Sequence, residues 1–164
     1  MSPMTNSPSH VLTLVGDTEM TLVREFNAPR ELVFRVYTDP AMISQWWGPR
    51  DIPTEVDYMD ARTGGSWRYI STGRDGEKFG FRGEYREVVP PEKIVQTFEW
   101  EPMAGHVSVD TMTFEELEGG RTRMHIHSLF PAREDRDAMI ANGMEGGWSE
   151  SMERLDEVLD SLKA

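Results

Sequence analysis

Cysteine is missing altogether from the 164-residue chain, which excludes disulfide staples, thiolate nucleophiles, Cys-ligated zinc and iron–sulfur clusters. Positive charge is scarce. Lys and Arg number 17 against 29 Asp and Glu, for a formal net charge of −12. A surface of that sign is repelled by phosphate backbones and anionic membranes, so neither nucleic acid nor membrane is an expected partner. The plain reading of the charge is solubility, and a basic partner protein is the alternative. No apolar run reaches the roughly 18 residues that span a bilayer. Residues 1–9 are polar, contain Pro3 and Pro8, and lack the basic and apolar regions of a secretory signal. They read as a frayed tail on a cytoplasmic protein. A G-x-S-x-G nucleophile elbow, a P-loop and a G-x-G-x-x-G turn are also missing, so the usual signatures of acyl transfer, nucleotide hydrolysis and dinucleotide binding do not apply.

What the chain does have is five Trp and eleven Met, side chains common both in cores and in apolar binding surfaces. The length fits one domain, taken as residues 18–164 preceded by a tail or extra strand over 1–17. Residues 11–15 alternate weakly before Gly16-Asp17 and read as a short added strand. Residues 19–26 alternate better, with Met20, Leu22 and Arg24 on one side, and form the first main strand. Asn27-Ala28-Pro29 ends it. The expected helix start has Asn27 or Ala28 at the cap and Pro29 in the first turn, where its missing N–H costs nothing. Leu32, Val33, Val36 and Tyr37 give that helix its stripe, and Pro40 opens a second short one through Gln45 or Trp46.

From residue 52 the chain reads as six consecutive strands: 52–59, 66–72, 78–88, 93–100, 106–117 and 121–130, each set off by Gly, Pro or Asp-rich turns. Two registers are open for the hairpin at Arg74-Asp75-Gly76. A two-residue turn pairs Trp67 with Glu84. A three-residue loop with Gly76 left-handed pairs Tyr69 with Phe81 and Trp67 with Gly83. The second is preferred because it gathers Trp67, Tyr69, Phe81 and Tyr85 on one face, and a one-residue slip would send that set to water. The loop Glu118-Gly119-Gly120 likewise pairs Phe114 with Met124, Met112 with Ile126 and Asp110 with Ser128. Its other face, with Thr111, Thr113, Arg123, His125 and His127, is read as solvated. The last helix is expected over 142–162, on the stripe Met144, Trp148, Met152, Leu155, Leu159 and Leu162. Gly146-Gly147 in its first turns costs about 1 kcal/mol per Gly against Ala. Close approach of a backbone or ligand would explain them, and so would a loose first turn.

Strand, two short helices, six-stranded meander and long helix make an α+β helix-grip fold: a curved antiparallel six- to seven-stranded sheet wrapped around a long C-terminal helix. The chain carries Arg24-Glu25-Phe26-Asn27-Ala28-Pro29, Trp46-Trp47-Gly48-Pro49, Gly83-Glu84-Tyr85, Val88-Val89-Pro90-Pro91-Glu92 and Gly146-Gly147-Trp148 in order. Over about residues 20–162 it resembles the START-like (SRPBCC) superfamily. Within that superfamily it is most similar to proteins related to the C-terminal domain of the activator of the ninety-kilodalton heat-shock chaperone ATPase. The resemblance implies a cavity between sheet and helix that holds an apolar, aromatic or lipid-like ligand. It also carries two alternatives, regulation of a chaperone ATPase and cyclase or aromatase catalysis, since one fold hosts many functions.

The residues expected to line such a cavity are Trp67, Tyr69, Phe81, Tyr85, Phe98 and Trp100 from the strands, with Met112 and Met124 beyond them. Met144 and Trp148 face them from the helix, and Trp46 and Trp47 stand at its mouth. The competing reading is that these large side chains fill the space themselves. Asp110 and Ser128 are the polar groups on that face, with Gln96 and Arg68 as further candidates. An inward carboxylate there should have a raised pKa and could act as an acid or base or anchor a ligand; the plainer reading is a carboxylate at the strand end in water. His125-x-His127 puts two imidazoles on one face, but the turn geometry brings no third ligand, so no metal or cofactor is expected.

Overall fold

The computed structural model describes residues 10–163; the tail read over 1–9 lies outside them. Eight antiparallel strands form one sheet: β1 (His10–Val15), β2 (Glu19–Phe26), β3 (Thr54–Met59), β4 (Ser66–Thr72), β5 (Lys78–Val89), β6 (Lys93–Trp100), β7 (Ser108–Leu117) and β8 (Arg121–Leu129). Helices α1 (Arg30–Thr38) and α2 (Pro40–Trp46) follow β2, and α3 (Arg133–Ala141) and α4 (Met144–Lys163) follow β8. The order across the sheet is β1-β2-β8-β7-β6-β5-β4-β3. Consecutive strands are therefore neighbours, except where the helical insert carries the chain from β2 to the far edge at β3. This is the helix-grip architecture, with eight strands because β1 pairs along its whole length with β2.

Local chemistry explains each element. In β2 the buried positions alternate as Met20, Leu22, Arg24 and Phe26, so one face enters the core. Helix α1 departs slightly from expectation. Pro29 is itself the cap, in extended conformation, and its carbonyl accepts the N–H groups of Leu32 and Val33. The fixed φ of proline suits an extended cap as well as a first turn. Helix α2 starts at Pro40, and the Asp39 side chain accepts the Ala41 N–H at 3.0 Å.

Both preferred hairpin registers are present: Tyr69 opposes Phe81 and Trp67 opposes Gly83, while Asp110 opposes Ser128 and Phe114 opposes Met124. Gly76 has φ 84°, the left-handed conformation its turn requires. Trp67 covers Gly83 so closely that a Cβ there would lie 2.6 Å from the indole nitrogen.

Helix α3 is unanticipated. Its sequence has no apolar stripe, and its signals are Pro131 and the acidic first turn Glu134, Asp135. Its buried Arg136 donates to the carbonyls of Gly16 and Glu19, each at 2.9 Å, and so ties the helix to the β1–β2 turn. Helix α4 begins at Met144 rather than 142 because Gly143, at φ 81°, separates it from α3. The stripe it presses into the core is Ser151, Met152, Leu155, Val158 and Leu159.

Candidate functional site

On the inner face of the sheet, cross-strand partners line up in rows. One row reads Leu22, Ile126, Met112, Ile94 and is apolar. The next reads Met20, Ser128, Asp110, Gln96, Tyr85 and is mostly polar. Beyond it lie Phe98, Phe81 and Trp100, with Phe81 directly opposite Trp100.

Burial divides this face in two. Toward one end Ile94, Met112, Phe114 and Met124 are at most 5% exposed and pack with Met152, Leu155 and Leu159 of α4. Toward the other, Gln96, Asp110, Phe98, Phe81 and Trp100 remain partly exposed although they point inward, with Phe98 and Phe81 packed against the edge of the core. The stripe of α4 changes in its first turns. Gly147 lies one turn before Ser151 on the core-facing side, and nothing comes within 4 Å of where its Cβ would be. The same holds for Gly146. These glycines therefore do not admit a close backbone, and the helix is formed through them. The first turns of α4 thus carry no side chain at 146 and 147, and the inward rings of β5 and β6 stay partly exposed.

The aromatic side chains of that end are in contact with one another. Trp67 stands 4.6 Å from Tyr69 and 6.2 Å from Phe98, and Phe81 stands 5.7 Å from Phe98, centroid to centroid. Trp47 closes over them edge-on, 5.2 Å from Tyr69 and 4.7 Å from Phe81. Trp67, Tyr69 and Tyr85 are fully buried and act as floor. Burial pushes the Tyr85 hydroxyl up to about 12, against a lowering contact from Tyr69, and raises Tyr69 as well. Both phenols are therefore neutral donors at physiological pH. The Trp67 indole N–H is sealed in without a hydrogen-bond partner among the described residues.

Asp110 accepts the Ser128 hydroxyl at 2.7 Å on Oδ1. Burial raises its carboxyl to about 6, against the lowering effects of that hydrogen bond and of nearby His127.

Several expected site residues sit elsewhere. Trp46 is core, not mouth: it is 3% exposed and its indole N–H donates to the Val36 carbonyl at 2.9 Å. Its position on the inward side of a short helix decides this. Met112 and Met124 belong to the packed end. Trp148 packs edge-on against His10 at 5.1 Å, on the β1 side, and Met144 is half-buried outside the core cluster. Arg68 points to the opposite face, as the period of two between it and Trp67 requires, and pairs with Glu101 and Asp57. The solvated face of β7 and β8 is as expected, with His127 on Glu19 at 2.7 Å and His125 on Glu115 at 3.4 Å. No group of three or more His, Asp or Glu able to hold a metal ion occurs among the described residues.

Sequence reasoning missed a concavity of about 620 Å³ toward the C-terminal end of α4, bordered by Val11, Phe26 and Leu159. Its charged walls are already engaged, Arg24 with Asp156 and Arg121 with Glu25.

Residues 27–160 match the family model described as "Activator of Hsp90 ATPase homolog 1-like protein". The fold is similar to that of a Rhodobacter sphaeroides protein at 24% identity and TM-score 0.85, covering 94% of this chain and 99% of that one. A protein from Arthrobacter aurescens is similar at 29% identity and TM-score 0.84, over 92% and 91% of the two chains. Protein Ms6760 from Mycobacterium smegmatis is similar at 28% identity and TM-score 0.79, over 91% and 97%. No curated protein matches the chain.

Proposed function

The chain belongs to the Activator of Hsp90 ATPase homolog 1-like family, and from that premise we propose that it binds an apolar small molecule, aromatic or lipid-like, in the groove between the sheet and the first turns of α4. The observation that carries this reading is the open space at Gly147. The helix position one turn before buried Ser151 carries no side chain and has open space about it, and the inward aromatics of β5 and β6 stay partly exposed. A packed core does not leave such a gap, because unfilled volume beside apolar walls is destabilising. Lined by rings with a few polar groups, the groove has the character of a small-molecule site. Trp47, held over Tyr69 and Phe81, is the side chain placed to cover a bound ligand. The chaperone reading rests on the family description alone.

The test is titration with N-phenyl-1-naphthylamine, an uncharged aromatic whose emission rises on leaving water. Saturable binding is expected, together with stabilisation of about 2.7 kcal/mol at a hundredfold excess over the dissociation constant. Gly147→Leu fills the space and should weaken binding at least about tenfold, while a better helix former at that position keeps the fold at least as stable. Binding to Gly147→Leu equal to that of the unaltered protein would overturn the proposal.

A further inference from the structure

Partly buried charge in this protein is matched almost everywhere. Among the described residues, the carboxylates that are not exposed have an Arg, Lys or His partner, with two exceptions, Asp110 and Glu150. Glu150 accepts the Arg50 amide N–H at 2.8 Å at the molecular surface. Asp110 is different in kind. It stands on the inner face between Gln96 and Ser128, in the row next to Phe98. Its Oδ1 is taken by Ser128, while Oδ2 makes no hydrogen bond among the described residues and is not among the sealed polar atoms. One carboxylate oxygen of Asp110 is thus left without a hydrogen bond on the sheet face that carries Phe98, and among the described residues no Lys, Arg or His forms an ion pair with it, His127 acting only from a longer distance.

Resting on the groove reading above, we infer that the ligand is an apolar amine, whose ammonium group pairs with the Asp110 carboxylate while its hydrocarbon body lies along Phe98 and Phe81. A half-buried carboxylate gains most from a partner that brings the opposite charge into the same desolvated site. The partner most complementary to a net charge of −12 is a cation. The ring faces around the groove favour it further, since they attract an ammonium group that has left water.

The experiment compares n-octylamine with 1-octanol, each displacing N-phenyl-1-naphthylamine from the full chain at about pH 8 and 0.15 M salt, where the amine is protonated and the carboxylate ionised. The amine should bind at least about tenfold more tightly than the alcohol. Asp110→Asn should bring the two within about twofold of each other, and Asp110→Glu, which keeps the charge, should retain the preference. The ratio is read within one protein, so a loosened fold lowers both affinities together. Displacement by octanol without preference for the amine, or a preference that survives Asp110→Asn, overturns this inference and leaves the groove reading intact. If neither compound displaces the probe, the groove reading fails and this inference with it.

Discussion

Arg24 and Asp110 both point inward from the sheet, and the fold treats them oppositely. The Arg24 side chain is 2% exposed and makes two hydrogen bonds, at 3.0 and 2.7 Å, to Asp156 on α4, whose own side chain is 35% exposed. Its guanidinium also lies 4.8 Å from the centre of the Phe26 ring. Removing the exposed partner leaves a buried cation unpaired, whereas removing the buried partner leaves a carboxylate that water can reach. Asp156→Ala should therefore cost about 3–5 kcal/mol and Arg24→Met less than half of that, read from urea midpoints at constant slope. Asp110 has no such match, and its stability effect runs with pH. Its carboxyl titrates at about 6 in the folded protein against an ordinary value of 3.8. The folded state therefore holds the proton more tightly. The contribution is full below about pH 4 and is lost as pH rises through about 6. The stability difference between the unaltered protein and Asp110→Asn should shift by about 2–3 kcal/mol across that window, with the unaltered protein the loser at high pH. A flat difference would show that the carboxyl is solvated.

At the scale of elements, two glycines make opposite predictions. Gly83 in β5 lies where a Cβ would come within 2.0 Å of the Thr97 carbonyl and 2.6 Å of the Trp67 indole nitrogen. Gly83→Ala should destabilise by about 1–3 kcal/mol, because the tryptophan or strand β6 must shift. Gly146 in α4 is exposed with open space around it, so Gly146→Ala should stabilise by up to about 1 kcal/mol. Thermal midpoints separate the two, at about 2–4 °C per kcal/mol for a chain near this size. The hairpin that holds Gly83 was legible in the sequence. Tyr69, Phe81, Trp67 and a left-handed Gly76 agree on one register, and any slip exposes three rings. Helix α3 was not legible. It is held by Arg136 reaching two backbone carbonyls of a distant turn, and no local periodicity records such a contact.

For the whole molecule, the consecutive hairpins and the direction of the inward face followed from period-two alternation, turn glycines and the stripe of α4, while the order across the sheet came with the family resemblance. These signals are local in the chain and repeat over many residues, so one misplaced residue does not erase them. They also placed Asp110 opposite Ser128, a pair that the fold brings into hydrogen-bond contact. What alternation could not say is which inward side chains meet a partner and which meet a gap. Trp46 and Trp47 are adjacent in sequence, yet one is locked in the core against Val36 and the other lies across Tyr69 and Phe81. Ile94 and Phe98 share the inner face of one strand, yet one is fully buried in the core and the other stays partly exposed at its edge. Residue type and spacing determined the sheet, its register and its apolar face, because each depends on near neighbours along the chain or across a hairpin. Which inward side chains the helix seals was decided only in three dimensions, because that depends on contacts between α4 and strands that the sequence keeps far away.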